Sequence, residues 1–145
     1  MAYAFTPISI TASATLDRDT HANGPLLKLN AAAGLTITLP ASAGNGDRYR
    51  FLVETTVTSN NDIIQVANAT DVMTGMVITA NPSADTTSGW ETAATSDTIT
   101  LNGTTKGGVK GDYIELEDAS SGLWRVIGHT SASGTVATPF SAAVS

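Results

Sequence analysis

The chain has 145 residues, enough for one domain with a sizeable core, and its apolar content of 41% is ordinary for a globular fold. Charged residues make up only 14%, the net charge is -6, and seven Lys and Arg in all cannot supply the clustered cations that phosphate backbones require, which argues against nucleic acid as a partner. The absence of cysteine excludes disulfides, thiolate nucleophiles and thiolate metal sites.

The first fifteen residues, MAYAFTPISITASAT, set Tyr3, Phe5, Ile8 and Ile10 among small residues around Pro7. Such a segment is either a first strand or an arm that orders only against a partner. It lacks the basic start and continuous apolar run of a secretion signal. No stretch approaches the roughly 18 apolar residues of a membrane span, so a soluble chain outside the secretion route and away from membranes is expected. LDRDTHANG reads as a polar loop, and PLLKLN as a short strand with Leu27 and Leu29 on one face.

In GLTITLPASAGNGDRYRFLV, Leu35, Ile37 and Leu39 alternate with threonines, Pro40 stops the ladder, and Tyr49, Phe51 and Val53 resume the alternation. With Gly44, Asn45 and Gly46 between them, the two runs predict a β-hairpin on which the other strands build. DIIQVAN and VMTGMVITA follow as strands, Gly75 marking a bulge or a close backbone approach. Asn81 to Ser96 reads as a long exposed polar loop with Trp90 at its centre, either a contact anchor or a local packing residue. DTITLN, DYIELED and LWRVIGHT are further strands, the last two forming a hairpin about ASSG with Trp124 in the core. Ser131 to Ser145 is small and polar, anchored by Val136 and Phe140.

No helix-period window is present. About eight short strands with Gly, Asn, Asp and Ser turns predict an all-β fold, an antiparallel β-sandwich or barrel (jelly-roll-like) with extended terminal arms. The expected division is an N-terminal arm over 1–15, the β domain over 16–130 and a C-terminal arm over 131–145. No internal repeat argues for a β-helix.

Candidate chemistry resolves to structural readings. Asp17, Asp19 and His21 alternate and on an extended backbone would face one cation, but a solvated loop is the simpler account. His129 has no spaced acid to orient it, and Ser42 has Pro40 where a nucleophile elbow needs glycine. Glu115 and Glu117 share the face opposite Ile114 and Leu116 and read as a solvated surface rather than glycosidase carboxylates. Gly107 to Asp112 lacks phosphate-loop spacing, and Lys110-Gly111-Asp112 is too short a match to an adhesion tripeptide to carry meaning. The acceptor triplets at Asn68 and Asn102 would stay unmodified without secretion. No enzyme, cofactor or metal is expected.

Four segments, GLTITLPASAGNGDRYRFLV, TSNNDIIQVANATDVMTG, SDTITLNGTTKGGVKGDYIELEDASSGLWRVIG and SGTVATPFS, resemble capsid decoration (cement) proteins of tailed bacteriophages and cyanophages over roughly His21 to Phe140. The resemblance implies a homotrimer on the outer surface of the virion capsid, bound to the major capsid protein and bridging its subunits. Tyr3, Phe5, Ile8, Trp90, Val136 and Phe140 are then the expected contact residues. The alternative is a phage fibre or receptor-binding module that contacts host glycans through the Trp90 segment.

Overall fold

Alternation of apolar with small polar residues dictates strands with one buried face, and the chain is built almost wholly of them. The computed structural model describes residues 5–145. Within them lie β1 (Ile8–Ile10), β2 (Ala14–Thr15), a single helical turn α1 (Arg18–His21), β3 (Leu26–Leu29), β4 (Thr36–Thr38), β5 (Arg48–Val53) and β6 (Asp62–Gln65). β7 (Val72–Asn81), β8 (Thr86–Glu91), β9 (Thr98–Leu101), β10 (Tyr113–Ser120), β11 (Leu123–Ser131) and β12 (Phe140–Ser141) complete the set. They form a seven-stranded sheet in the order β1-β3-β5-β10-β11-β7-β8 and a five-stranded sheet in the order β12-β9-β6-β4-β2. The inner faces of the two sheets pack into one core, so the fold is a β-sandwich.

The registers carry single rows of side chains across each inner face. In the larger sheet one row runs Ile8, Leu27, Phe51, Ile114, Gly128, Val77, Trp90. In the smaller sheet Phe140, Ile99, Ile64, Ile37 and Ala14 line up in the same way. Trp124, 1% exposed, meets Tyr49 edge to face at 5.7 Å, as expected of a core tryptophan. Each large apolar side chain buried here contributes roughly 1.5–3 kcal/mol.

The pairing departs from the expected antiparallel pattern. β1, β3 and β5 are mutually parallel in one sheet, β2, β4 and β6 in the other, and β11 runs parallel to β7. Up to β6, successive strands alternate between sheets, so the crossover that a parallel pair requires is supplied by a strand of the opposite sheet. The hairpin expected over Gly34 to Val53 therefore does not form. β4 pairs with β2 and β6, whereas β5 pairs with β3 and β10 across the sandwich. The hairpin about ASSG does form, between β10 and β11. Asn81 to Ser96 is not a loop: β8 lies within it and pairs with β7. Both segments expected as arms contribute strands. β1 and β2 each join a sheet, and β12 pairs with β9 with Phe140 at 8% exposure.

Buried aspartates gather where the chain crosses between sheets, and most of them receive its backbone. Asp47, Asp62, Asp71, Asp97, Asp112 and Asp118 are all at most 6% exposed. The connection from β4 to β5 wraps the Asp118 carboxylate, which accepts from Ser42 Oγ (2.7 Å), Ala43 N–H (3.0 Å), Gly44 N–H (2.9 Å) and Asn45 N–H (3.4 Å). Asp71 takes the Ser42 N–H at 2.8 Å. Asp112 accepts from Gly108, Val109 and Ser131, and Asp97 from Ala143 and Val144. Burial pushes the Asp118 carboxyl up, but the bonds from Ala43, Ser42, Gly44 and Asn45 outweigh it and leave the group below its ordinary value. At Asp112 burial prevails over three N–H bonds, and the group is raised. Asp62 has a single partner, the Leu35 N–H at 3.0 Å, and its second oxygen is buried without one, so burial pushes it up to about 6.

Three outcomes follow from this packing. Gly75 sits at φ 142 with the Val126 carbonyl oxygen 1.9 Å from where a Cβ would stand, the close approach anticipated from the sequence. Gly75→Ala should lower the thermal midpoint by roughly 5–10 °C in a calorimetric scan, through backbone strain and a clash with backbone. Asp118→Ala should cost about 2–3 kcal/mol in urea unfolding and speed amide exchange at residues 43–45, with Asp118→Asn milder because one acceptor survives. The folded protein holds the Asp62 proton to about 6 while an unperturbed carboxyl releases it near 3.8, so this group weakens the fold as pH rises between those values. Asp62→Asn should thus be more stable than the parent at about pH 7 and lose that advantage below about pH 4 in paired melts.

Candidate interaction face

The outer face of the seven-stranded sheet is the most differentiated surface of the molecule. Its side chains are those that alternate with the core rows, and the registers again align them. One row runs Leu26, Arg50, Glu115, Ile127, Met76, Glu91, and the next Lys28, Leu52, Tyr113, His129, Ile78, Gly89.

The end of this face toward β5 is ionic. Glu117 lies between Arg48 and Arg125, 3.5 Å from each guanidinium, and Lys28 bonds Glu54 at 3.0 Å. The Arg50 guanidinium donates to the Gly24 carbonyl. Arg48, Arg50 and Glu115 line a shallow groove of about 380 Å3 with Asn23, Gly24 and Phe5. The Tyr113 hydroxyl donates to Glu115 at 3.0 Å, and burial together with that bond and the Glu115 charge raises its phenol above the ordinary value. Its ring stacks on His129 at 5.8 Å, and His129 lies on the outer face within β11 rather than at a rim. Glu115 and Glu117 are thus on the outer face, as expected, and each is engaged by a neighbour.

Toward β8 the face becomes apolar. Met76, Ile78 and Ile127 are 45%, 42% and 40% exposed and adjoin one another through the β11-β7 pairing. Gly89 leaves an empty side-chain position next to them, with Met76 Sδ 3.5 Å and Ile78 Cδ1 3.6 Å from where its Cβ would be. Sequence reading overlooked this patch. Its signal was the run Met76-Val77-Ile78 and the pair Val126-Ile127, where apolar residues fall on both faces of strands that otherwise alternate.

Of the six residues expected to make contacts, the five that are described are not brought together. Tyr3 lies outside the described residues. Phe5 is 65% exposed, its ring lying on Gly24 beside the ionic groove. Ile8 and Trp90 stand in the same inner row but on opposite edge strands, and both pack against the core. The Trp90 ring therefore does not stand out from a loop, because β8 turns it inward; its indole N–H is buried without a partner among the described residues. Val136 is half-buried, and Phe140 is part of the core.

Asp17, Asp19 and His21 do not alternate along an extended strand. Asp17 caps α1 by accepting the Thr20 N–H at 2.8 Å; the Thr20 side chain and then this N–H lower its carboxyl below the ordinary value, and His21 Nδ1 lies 3.2 Å from Asp17 Oδ2. Among the described residues no group of three His, Asp or Glu side chains is placed to hold a metal ion. No helix among them is long and apolar enough to cross a membrane. A scan against protein-family models, a search of curated proteins and a search of solved structures each find no match to the chain.

Proposed function

We propose that the protein is a capsid decoration protein that binds the outer surface of a phage head and stabilises it by bridging major capsid subunits. The observation that carries the reading is the contiguous exposed patch of Met76, Ile78 and Ile127 on a broad sheet face. Exposed apolar side chains gathered on one face mark a surface made to be covered. The sequence resemblance to cement proteins supplies the nature of the cover, and the capsid, the threefold assembly and the virion location are part of the proposal. A body that works by contact needs a rigid frame, which the two-sheet core provides, and many copies on one shell multiply modest contacts into firm attachment. The fibre reading relied on Trp90 as a platform for sugars. With that ring partly buried and packed against the core, a glycan would find only part of its face open.

The proposal is tested on heads of the phage that carries the gene. Quantitative mass spectrometry of purified particles should give hundreds of copies, whereas a few to a few tens would place the protein in the tail and refute it. Met76→Lys together with Ile127→Lys should reduce binding to undecorated heads at least tenfold while shifting the thermal midpoint by no more than about 2 °C, since both side chains are on the outer face.

A further inference from the structure

We propose that the open edge of β8 is a strand-addition site for an extended, positively charged segment of another protein. The inference stands on the sheet edges alone and does not depend on the capsid reading.

The four edges of the sandwich are unequal. β2 and β12 are two residues long and β1 three, lengths that give an intruding strand little to pair with. β8 has six residues, Thr86–Glu91, and neither lysine nor proline to discourage pairing. The phase of its ladder follows from the Thr92 N–H, which donates to the Gly75 carbonyl at 3.1 Å. Bonding pairs alternate in an antiparallel ladder, so Trp90, Ser88 and Thr86 bond to β7, and the N–H and C=O groups of Thr87, Gly89 and Glu91 face outward. Those are the groups an added strand would take up. Above them, the empty position at Gly89 lies against Met76 and Ile78 and offers room for an apolar side chain from the incoming segment.

Charge decides the occupant. From Phe51 to Thr105 there is no Lys or Arg, and within that stretch Asp85 and Glu91 are exposed and make no ion pair among the described residues. A second copy pairing through its own β8 would gather four such carboxylates along one seam with no cation to offset them. A segment that carries Lys or Arg beside its β-branched residues neutralises them instead.

The test uses the full chain and a random short-peptide library panned on it, followed by synthetic versions of the enriched peptides. Enriched sequences should alternate β-branched or aromatic residues with Lys or Arg, and should slow amide exchange at Thr87, Gly89 and Glu91. Gly89→Pro, which deletes an outward N–H and fills the side-chain gap, should weaken binding at least tenfold. Because that variant could also disturb the strand, Glu91→Lys serves as the second: it should leave the melt unchanged and weaken the same peptides about three- to fivefold at low salt, the difference shrinking in high salt. Failure to enrich any peptide, equal binding by Glu91→Lys, or protection elsewhere on the surface overturns the proposal. So does a concentration-dependent dimer of the chain that protects these same amides, since the occupant would then be a second copy.

Discussion

Passages between the two sheets take backbone out of a hydrogen-bonded ladder, and at several of them buried aspartates receive it. An unpaired buried N–H costs about 1–3 kcal/mol, so a sandwich whose chain repeatedly changes sheet needs acceptors at its rims. Asp118 and Asp71 hold the crossing from β4 to β5, Asp112 the one from β9 to β10 together with the end of β11, and Asp97 the residues after β12. Asp47, bonded to the Asn23 amide and 2.7 Å from Arg18, serves the passage from β2 to β3. A carboxylate suits this role because it accepts from several donors at once and each charged bond is stronger than a neutral one. Asp62, with one donor, shows the opposite limit: burial without enough bonds holds the proton up to about 6.

That device also explains why the fold was only partly legible. Strands facing the core announced themselves through alternation: Leu27 and Leu29, Tyr49, Phe51 and Val53, Ile114 and Leu116, and Trp124 and Val126 all point inward. Alternation has the same period in parallel and antiparallel ladders, so it could not say which strand pairs with which. The segment ASAGNGD looks like a hairpin turn because Gly44 and Gly46 tolerate positive φ. Its course is instead fixed by Asp71 and Asp118, a long way off in sequence. β8 was invisible for a different reason. An edge strand with one half-solvated face has little apolar material to alternate, and TTSGWE shows only its tryptophan.

The candidate site was less legible than the fold. The aromatic residues that drew notice as contacts, Trp90 and Phe140, serve the core, because a large apolar side chain on a thin sheet is worth more inside than out. The residues left outside, Met76, Ile78 and Ile127, are ordinary strand formers whose placement shows only once the register assigns their face. Gly89 adds to the patch by what it lacks, and no sequence pattern distinguishes such a glycine from a turn residue.

The outer face is polarised along the sheet, and this bears on how the molecule would sit on anything larger. Arg48, Arg50 and Arg125 are bound up with Glu117 and the Gly24 carbonyl at one end, while the opposite end offers apolar side chains, two carboxylates with no ion pair among the described residues, and an open strand edge. On the proposed reading the ionic end would add little affinity, because its pairs are exposed and already satisfied. On that reading affinity would come from covering Met76, Ile78 and Ile127, and direction from the β8 edge, where backbone hydrogen bonds form only for a strand laid along one line. A surface that divides affinity and orientation between neighbouring elements can hold a partner in one pose without a deep pocket, and the shallow relief of this sheet face suits that arrangement.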